Sequence, residues 1–495
     1  MDISSLISDT NFLQSFSNSL LIGLGTSMGA ITLGLILAIT LERTAISGKS
    51  LFQILLLLPF LIPPYIHTLA WSWLFAGEGF LVSILGAPTE IAQTLYTLLY
   101  SRLGVICILT IYCTPLATII IASGLRLSSG SGEEAALMAR PPMSVLFRHT
   151  LPSISPHLAG SSLITMVISM LNFSVADILR VHVLPIEIFI QLSVFYDQFG
   201  AFTMSIPLFG ITATLIVLFQ RVMGDKQFIC TRQQQNRSAL TYSLGKPFLI
   251  ICTSLFITSA TISLLPPLMY LIGSLSQAQE ILSTIFDSYG EILYTFALSG
   301  GSSVVAVCIG LPVAYFLSRR RTWSATINFI FLLPLAIPGA LLALGMLRVN
   351  DLPVLHHLSS TSIPCVLALC LHFLPFAVKL LEAELHKIDV KLEEIARLFD
   401  GSVTHRLRYI LLPLLLPGLT ISFFFVFILS LGDLSIPLLL VPPGRETVPV
   451  KIYNLMHYGA NDMVAVLCLF ILFTIGSISI ITLLWYKRCQ MRLSN

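Results

Sequence analysis

The sequence predicts an all-α polytopic membrane protein of about 11 transmembrane helices arranged as two homologous halves. Three observations predict it. Of 495 residues, 56% are hydrophobic and 10% charged, with a mean hydropathy of +0.90, more apolar surface than a soluble core can hide. Apolar runs of spanning length recur along the chain. A polar, basic stretch between two of these runs returns once, much later.

The runs lie at about 17–41, 51–75, 103–125, 157–179, 203–222, 248–272, 292–317, 325–347, 363–385, 414–436 and 463–486. No Lys or Arg precedes Arg43, so the start lacks the basic residues of a signal peptide. Run 51–75 contains LLPFLIPP at 57–64, and run 325–347 contains the related LLPLAIPG at 332–339. Prolines inside a span free backbone carbonyls, which is tolerated beside neighbouring helices or a watery path. Pro59, Pro63, Pro334 and Pro338 are therefore expected to kink their spans, either to shape a gate or only for packing. A polar stretch at 224–247 with three consecutive glutamines reads as a linker between a first half, 1–223, and a second, 248–495. Run 248–272 has no counterpart in the first half. The halves then hold five and six spans, or a segment upstream is missing.

Orientation follows from Lys and Arg, which favour the cytoplasmic side of short loops. With the N-terminus outside, only Arg102, Arg180, Arg348, Arg445 and Lys451 of the 27 basic residues fall outside. The linker and both copies of the repeated stretch fall in the cytoplasm.

The repeated stretch is EEAALMARPPMSVLFRHTLPSISP at 133–156, and its second copy is EIARLFDGSVTHRLRYILLPLLLP at 394–417. A gapless offset of 261 places Glu133 on Glu394, Leu151 and Pro152 on Leu412 and Pro413, and Pro156 on Pro417. This pattern of Glu-Ala-Ala, a later glycine and then Leu-Pro resembles the EAA loop of permease subunits in binding-protein-dependent, type I ABC importers. In that family the loop is a cytoplasmic coupling helix that docks on the ATPase. The resemblance makes 128–156 and 389–417 the two coupling loops, carried by Glu133, Glu134, Ala135, Ala136, Leu151 and Pro152 and by Glu393, Glu394, Ala396, Gly401, Leu412 and Pro413. It also implies cytoplasmic ATPase subunits, expected as a homodimer, that hold ATP and Mg. A periplasmic or extracellular substrate-binding protein and a bacterial inner-membrane location complete the expectation. No cofactor on this chain and no nucleic-acid partner are expected. One departure stands out: Gly401 has no counterpart among Ala139, Arg140, Pro141 and Pro142. The prolines should end the first coupling helix after Arg140.

After each loop comes a run with polar residues at matching depth. The same offset sets Asn172 on Asp433 and Ser174 on Ser435. With Asp177, these are the candidates for the translocation path, because a carboxylate within a span faces an interior or a cavity, unless both acids sit at the outer interface. The external segment 442–462 and its counterpart 181–202 are expected to run as loop plus short helix, facing a binding protein. With SLGDLSIPLLL at 430–440 before it, the first resembles permeases of ferric-iron importers more than those for thiamine, sulfate or polyamine. Iron itself would be held by the binding protein, and no metal site on this chain is assigned. His182, His356, His357, His457 and Tyr458 are outer-side donors that most simply are solvated.

Enzymatic classes find no support. Gly48, Lys49 and Ser50 match the end of a phosphate-binding loop, but Arg43 stands where its first glycine belongs. HExxH and CxxC are absent. An ion-coupled secondary transporter is the competing class, but its repeats centre on a midplane site rather than on a cytoplasmic loop.

Overall fold

The structure, a computed structural model, describes residues 10–44, 46, 49–76, 82, 86, 88–128, 131–223, 246–274, 278–319, 324–350, 357, 360–399, 407–458 and 461–494. The linker expected at 224–247 lies almost wholly outside them, as do Gly401 and His356.

Every regular element among the described residues is helical. The first half runs α1 (Thr10–Arg43), α2 (Lys49–Leu61), α3 (Pro64–Phe75), α4 (Thr89–Leu99), α5 (Arg102–Ser128), α6 (Ser131–Ala139), α7 (Pro142–Ser153), α8 (Ser155–Met170), α9 (Ser174–Ile178), α10 (Leu184–Ser193) and α11 (Gln198–Met223). The second runs α12 (Lys246–Ser274), α13 (Ala278–Asp287), α14 (Tyr289–Arg319), α15 (Ser324–Leu332), α16 (Gly339–Asn350), α17 (Ile363–Leu385), α18 (Val390–Phe399), α19 (Leu412–Leu431), α20 (Pro437–Leu440), α21 (Val448–His457) and α22 (Asn461–Ser494). Eight helices are long and apolar enough to cross a membrane, and three bent pairs raise the number to 11. The triad α1, α5 and α8 packs together as α14, α17 and α19 do, so each half has the same core. Helix α12, the unmatched span, lies on the first half. Phe256 meets Phe52 edge-on at 4.7 Å, and Tyr270 meets Trp73 at 5.7 Å.

The proline repeats do more than kink. The chain turns by 96° between α2 and α3 and by 101° between the α15 segment and α16. Pro63, before Pro64, and Ile337, before Pro338, both take extended ψ angles, 136° and 123°, the conformation that a following proline enforces. Pro59 and Pro334 are not break points; Pro59 stays inside α2, and Pro334 lies in the 3-10 turn Leu333–Ala336. Pro63 has no N–H for the Pro59 carbonyl. His67 Nε2 donates to that oxygen instead, at 3.1 Å.

The broken spans are exchanged between the halves. Leu61, Ile62 and Ile66 share a core with Ile428, Leu431 and Val464 of the second half. In return, Leu332 and Ala336 pack with Ile120, Ile164 and Phe219 of the first.

Two expected spans are too long. Runs 157–179 and 414–436 stop being helix at Met170 and Leu431, and a turn with a short helix follows in each. Asn172 and Asp433 cause this, because their side chains bind backbone N–H groups that a continuing helix would use. Neither Asp177 nor Asp433 is therefore inside a spanning helix.

Candidate functional site: coupling loops and two cavities

The first of the two candidate coupling loops is pinned by a buried ion pair. Arg43, the last residue of α1, donates from Nε to Glu133 Oε1 at 3.1 Å and from Nη2 to Glu133 Oε2 at 3.0 Å. Both side chains are essentially inaccessible, 1% and 0% exposed. The guanidinium also reaches the Leu125 carbonyl and the Ser128 hydroxyl at the end of α5, and Thr150 donates to Glu133 Oε1 at 2.7 Å. One carboxylate thus ties α1 and α7 to the start of α6. The second loop repeats the device with different helpers. Arg319, last in α14, donates from Nε to Glu393 Oε1 at 2.9 Å, and Tyr315 donates to Oε2 at 2.8 Å.

This geometry corrects the register. Glu133 corresponds to buried Glu393, an offset of 260, and Glu394 is exposed like Glu134. The π-helical turns that follow, Leu146–Thr150 and Leu407–Leu411, keep the offset of 261. The second loop therefore holds one extra residue between glutamate and Leu-Pro. Sequence already carried the signal, since Glu133, Glu134 and Ala136 match Glu393, Glu394 and Ala396 without a gap. Glu133 is consequently an anchor, not a surface offered to a partner. The exposed residues of α6 include Glu134, Ala135 and Met138, and those of α18 include Lys391, Leu392, Glu394 and Ile395. Leu151 and Leu412 are half-buried, Pro152 and Pro413 exposed, and Ala136 half-buried. As expected, α6 ends at Ala139, before Pro141 and Pro142. The anchoring arginines were missed: Arg43 entered the sequence argument only through its charge and its place in a failed motif.

Asn172, Ser174, Asp433 and Ser435 come together. They line a cavity of about 150 Å³ with Tyr112 and His372 at the junction of the halves. Asp433 Oδ2 accepts from Ile436 N at 3.0 Å, and Oδ1 accepts from Ser435 Oγ at 3.3 Å. Asn172 Oδ1 accepts from Val175 N at 3.0 Å. Both broken spans press on this turn: a Cβ on Gly432 would come within 2.5 Å of Pro63 Cγ, and one on Gly339 would strike Ser435. His372 Nδ1 is buried without a hydrogen-bond partner among the described residues. Sequence reasoning missed both Tyr112 and His372, which occupy matching places in α5 and α17, three residues before Pro115 and Pro375.

Asp177 parts from this group. It lines a second, larger cavity of about 650 Å³, with Ser72, Tyr96, Arg180, His182 and His457 around it. Burial pushes its carboxyl pKa up, against the pull of the Tyr453 hydrogen bond and the His457 charge. Burial and the Asp177 charge push the Tyr453 hydroxyl up as well. His357 and Tyr458 are exposed and do not line this cavity. The expected loop-plus-helix segments are present as α10 and α21. Among the described residues, no three His, Cys, Asp or Glu side chains gather into a metal-sized cluster.

Residues 306–494 match the family of binding-protein-dependent transport system inner membrane components. Over 448 residues the chain is 24% identical to the Fe(3+)-transport system permease protein FbpB 2 of Haemophilus influenzae, covering 88% of this chain and 83% of that one. It is 21% identical to the ferric transport system permease protein FbpB of Actinobacillus pleuropneumoniae, over 92% of this chain and 67% of the relative. A putative 2-aminoethylphosphonate transport system permease protein, PhnV, of Salmonella typhimurium is 27% identical over 179 residues, 35% of this chain and 65% of the relative. The family match runs from within α14 to the end of α22 and so takes in the second broken span, α17, the second loop, α19 and α22, and the longer matches take in the first half, whose loop is anchored in the same way. The chain is a multi-pass inner-membrane permease, a non-catalytic subunit that matches the binding-protein-dependent transport family over residues 306–494 and is similar to permease proteins along most of its length.

Proposed function

We propose that this permease carries ferric iron, delivered by a substrate-binding protein on the outer face and driven by a pair of identical cytoplasmic ATPase subunits. The observation that carries the substrate is the span of the likeness. Relatives named for ferric transport align with 88% and 92% of the chain, whereas the 2-aminoethylphosphonate relative aligns with 35%. The higher identity of that shorter match favours 2-aminoethylphosphonate as the second reading.

In this mechanism ATP closes the ATPase pair, and the exposed faces of α6 and α18 ride with it. The buried pairs Arg43–Glu133 and Arg319–Glu393 make each coupling helix rigid with the inner end of a span, so displacement reaches the membrane rather than being lost in a loop. The broken spans, each lodged in the opposite half, then shift against the turn holding Asn172 and Asp433. Asn172, Ser174, Asp433 and Ser435 line the inner part of the path, and Asp177 its outer part. Uptake of radioactive ferric iron into proteoliposomes holding permease, ATPase and binding protein tests this. ATP-dependent accumulation is expected, and accumulation of 2-aminoethylphosphonate but not iron would overturn the substrate.

A further inference from the structure

The outer cavity contains two opposite charges that the chain places three residues apart and does not pair. Asp177 lies in α9, and Arg180 follows its end. On a continuing helix, side chains at this spacing meet. Here they do not, because Arg180 takes a left-handed φ of 55°. The turn is fixed by hydrogen bonds from Arg180 N to the Asp177 carbonyl at 3.0 Å and from Val181 N to the Ala176 carbonyl at 2.9 Å. Such a helix end normally uses glycine. An arginine there is strained, and local strain held by surrounding bonds is a feature of binding sites.

The strain has a result. Arg180 is exposed at the cavity wall and forms no ion pair among the described residues. Asp177 Oδ2 is buried and has no hydrogen-bond partner there. Each pole has its own surroundings. Near Arg180 stand Tyr96 and Tyr100, stacked at 4.3 Å, and the arginine charge offsets part of the burial that pushes the Tyr96 hydroxyl to about 12. Near Asp177 stand Tyr453 and His457, whose rings lie 4.5 Å apart. Ser72 Oγ, a further buried hydroxyl without a partner among the described residues, also lines the cavity.

We propose that this cavity is a receiving site for a small dipolar solute, a cationic centre carried with an oxyanion, whose oxyanion meets Arg180 and whose cationic centre meets Asp177. A bare cation would be repelled by Arg180 and a bare anion by Asp177, so the pair selects against both. The cavity of about 650 Å³ has room for such a solute. Two sources share this chemistry: a ferric ion carried with an oxyanion, and a zwitterion joining an ammonium to a phosphonate. The inference rests on the permease function but not on iron as the cargo.

The test uses the complete transporter, reconstituted with its ATPase and binding protein, and measures uptake of ferric citrate and of an aminoalkylphosphonate in separate arms. Arg180→Gly removes the charge and relieves the backbone strain together, so its melting temperature should equal or exceed that of the wild type. It should nevertheless raise the KM for the carried solute about tenfold, with a smaller effect on the saturating rate, and so should Asp177→Asn. Arg180→Lys should recover most of the loss. Uptake of the zwitterion alone by the wild type would remove iron as cargo and leave this site standing. A wild type that carries neither solute, or an Arg180→Gly variant within about twofold of the wild-type KM, would overturn the proposal.

Discussion

Asn172 and Asp433 make the same hydrogen bond, each side-chain oxygen accepting from the backbone N–H three residues on at 3.0 Å, although only one of the two is a carboxylate. The shared bond ends a span, and the added acid is what the second half contributes alone. Asp433→Asn should therefore keep the turn, with melting temperature and complex recovery near wild type, while lowering uptake. Asp433→Leu removes the cap as well, and loss of a cap costs about 1 kcal/mol. Full uptake in Asp433→Asn would leave the residue a structural role only.

Buried pairing makes a sharper forecast. Glu133→Gln leaves Arg43 in a site with almost no water, and breaking a buried pair in this way costs about 3–5 kcal/mol. Glu393→Gln should cost less, because Arg319 is 11% exposed. Thermal unfolding in detergent would rank the two variants, and the opposite order would contradict the assignment of the first pair as the tighter anchor.

Exposed charge behaves otherwise. Glu394→Lys alters a surface residue of α18, so the permease should fold normally and recover less ATPase on purification, with uptake abolished. Glu133→Lys reverses a buried partner of Arg43 and should fail to accumulate in the membrane. Wild-type ATPase recovery with Glu394→Lys would exclude that face of α18 from docking.

At the first broken span, His67→Ala deprives the Pro59 carbonyl of its donor, and an unsatisfied buried carbonyl costs about 1–3 kcal/mol. His67→Gln, which can still donate, should recover part of the melting temperature.

Sidedness is open to labelling. Glu446 is exposed in the segment before α21, whereas Thr447 is buried and a poor reporter. In a background without native cysteines, Glu446→Cys should react with an impermeant maleimide in intact cells, and Lys391→Cys should not.

Much of this was legible because apolar length and proline spacing are one-dimensional signals. The spans, the first loop's stop before Pro141 and the unmatched helix at 248–272 follow from them. The breaks at Pro63 and Pro338 were legible only as kinks, since how far a chain turns at proline depends on what packs beside it. The register of the loops was misread by one residue, because matching Leu-Pro pairs outweighed the Glu-Glu doublets that burial selects. Arg43 meets Glu133, and Tyr112 and His372 share one cavity, only through tertiary packing, which no local spacing reveals.

The extra residue in the second loop lies beyond α18. From Glu133 and Glu393 to their ends at Ala139 and Phe399, α6 and α18 keep an offset of 260, so the two helices run in step. By the π-helical turns the offset has become 261. The stretch between helix and turn is therefore one residue longer in the second half, up to about 3.5 Å more chain, and a push on α18 would reach α19 with more slack than a push on α6 reaches α8.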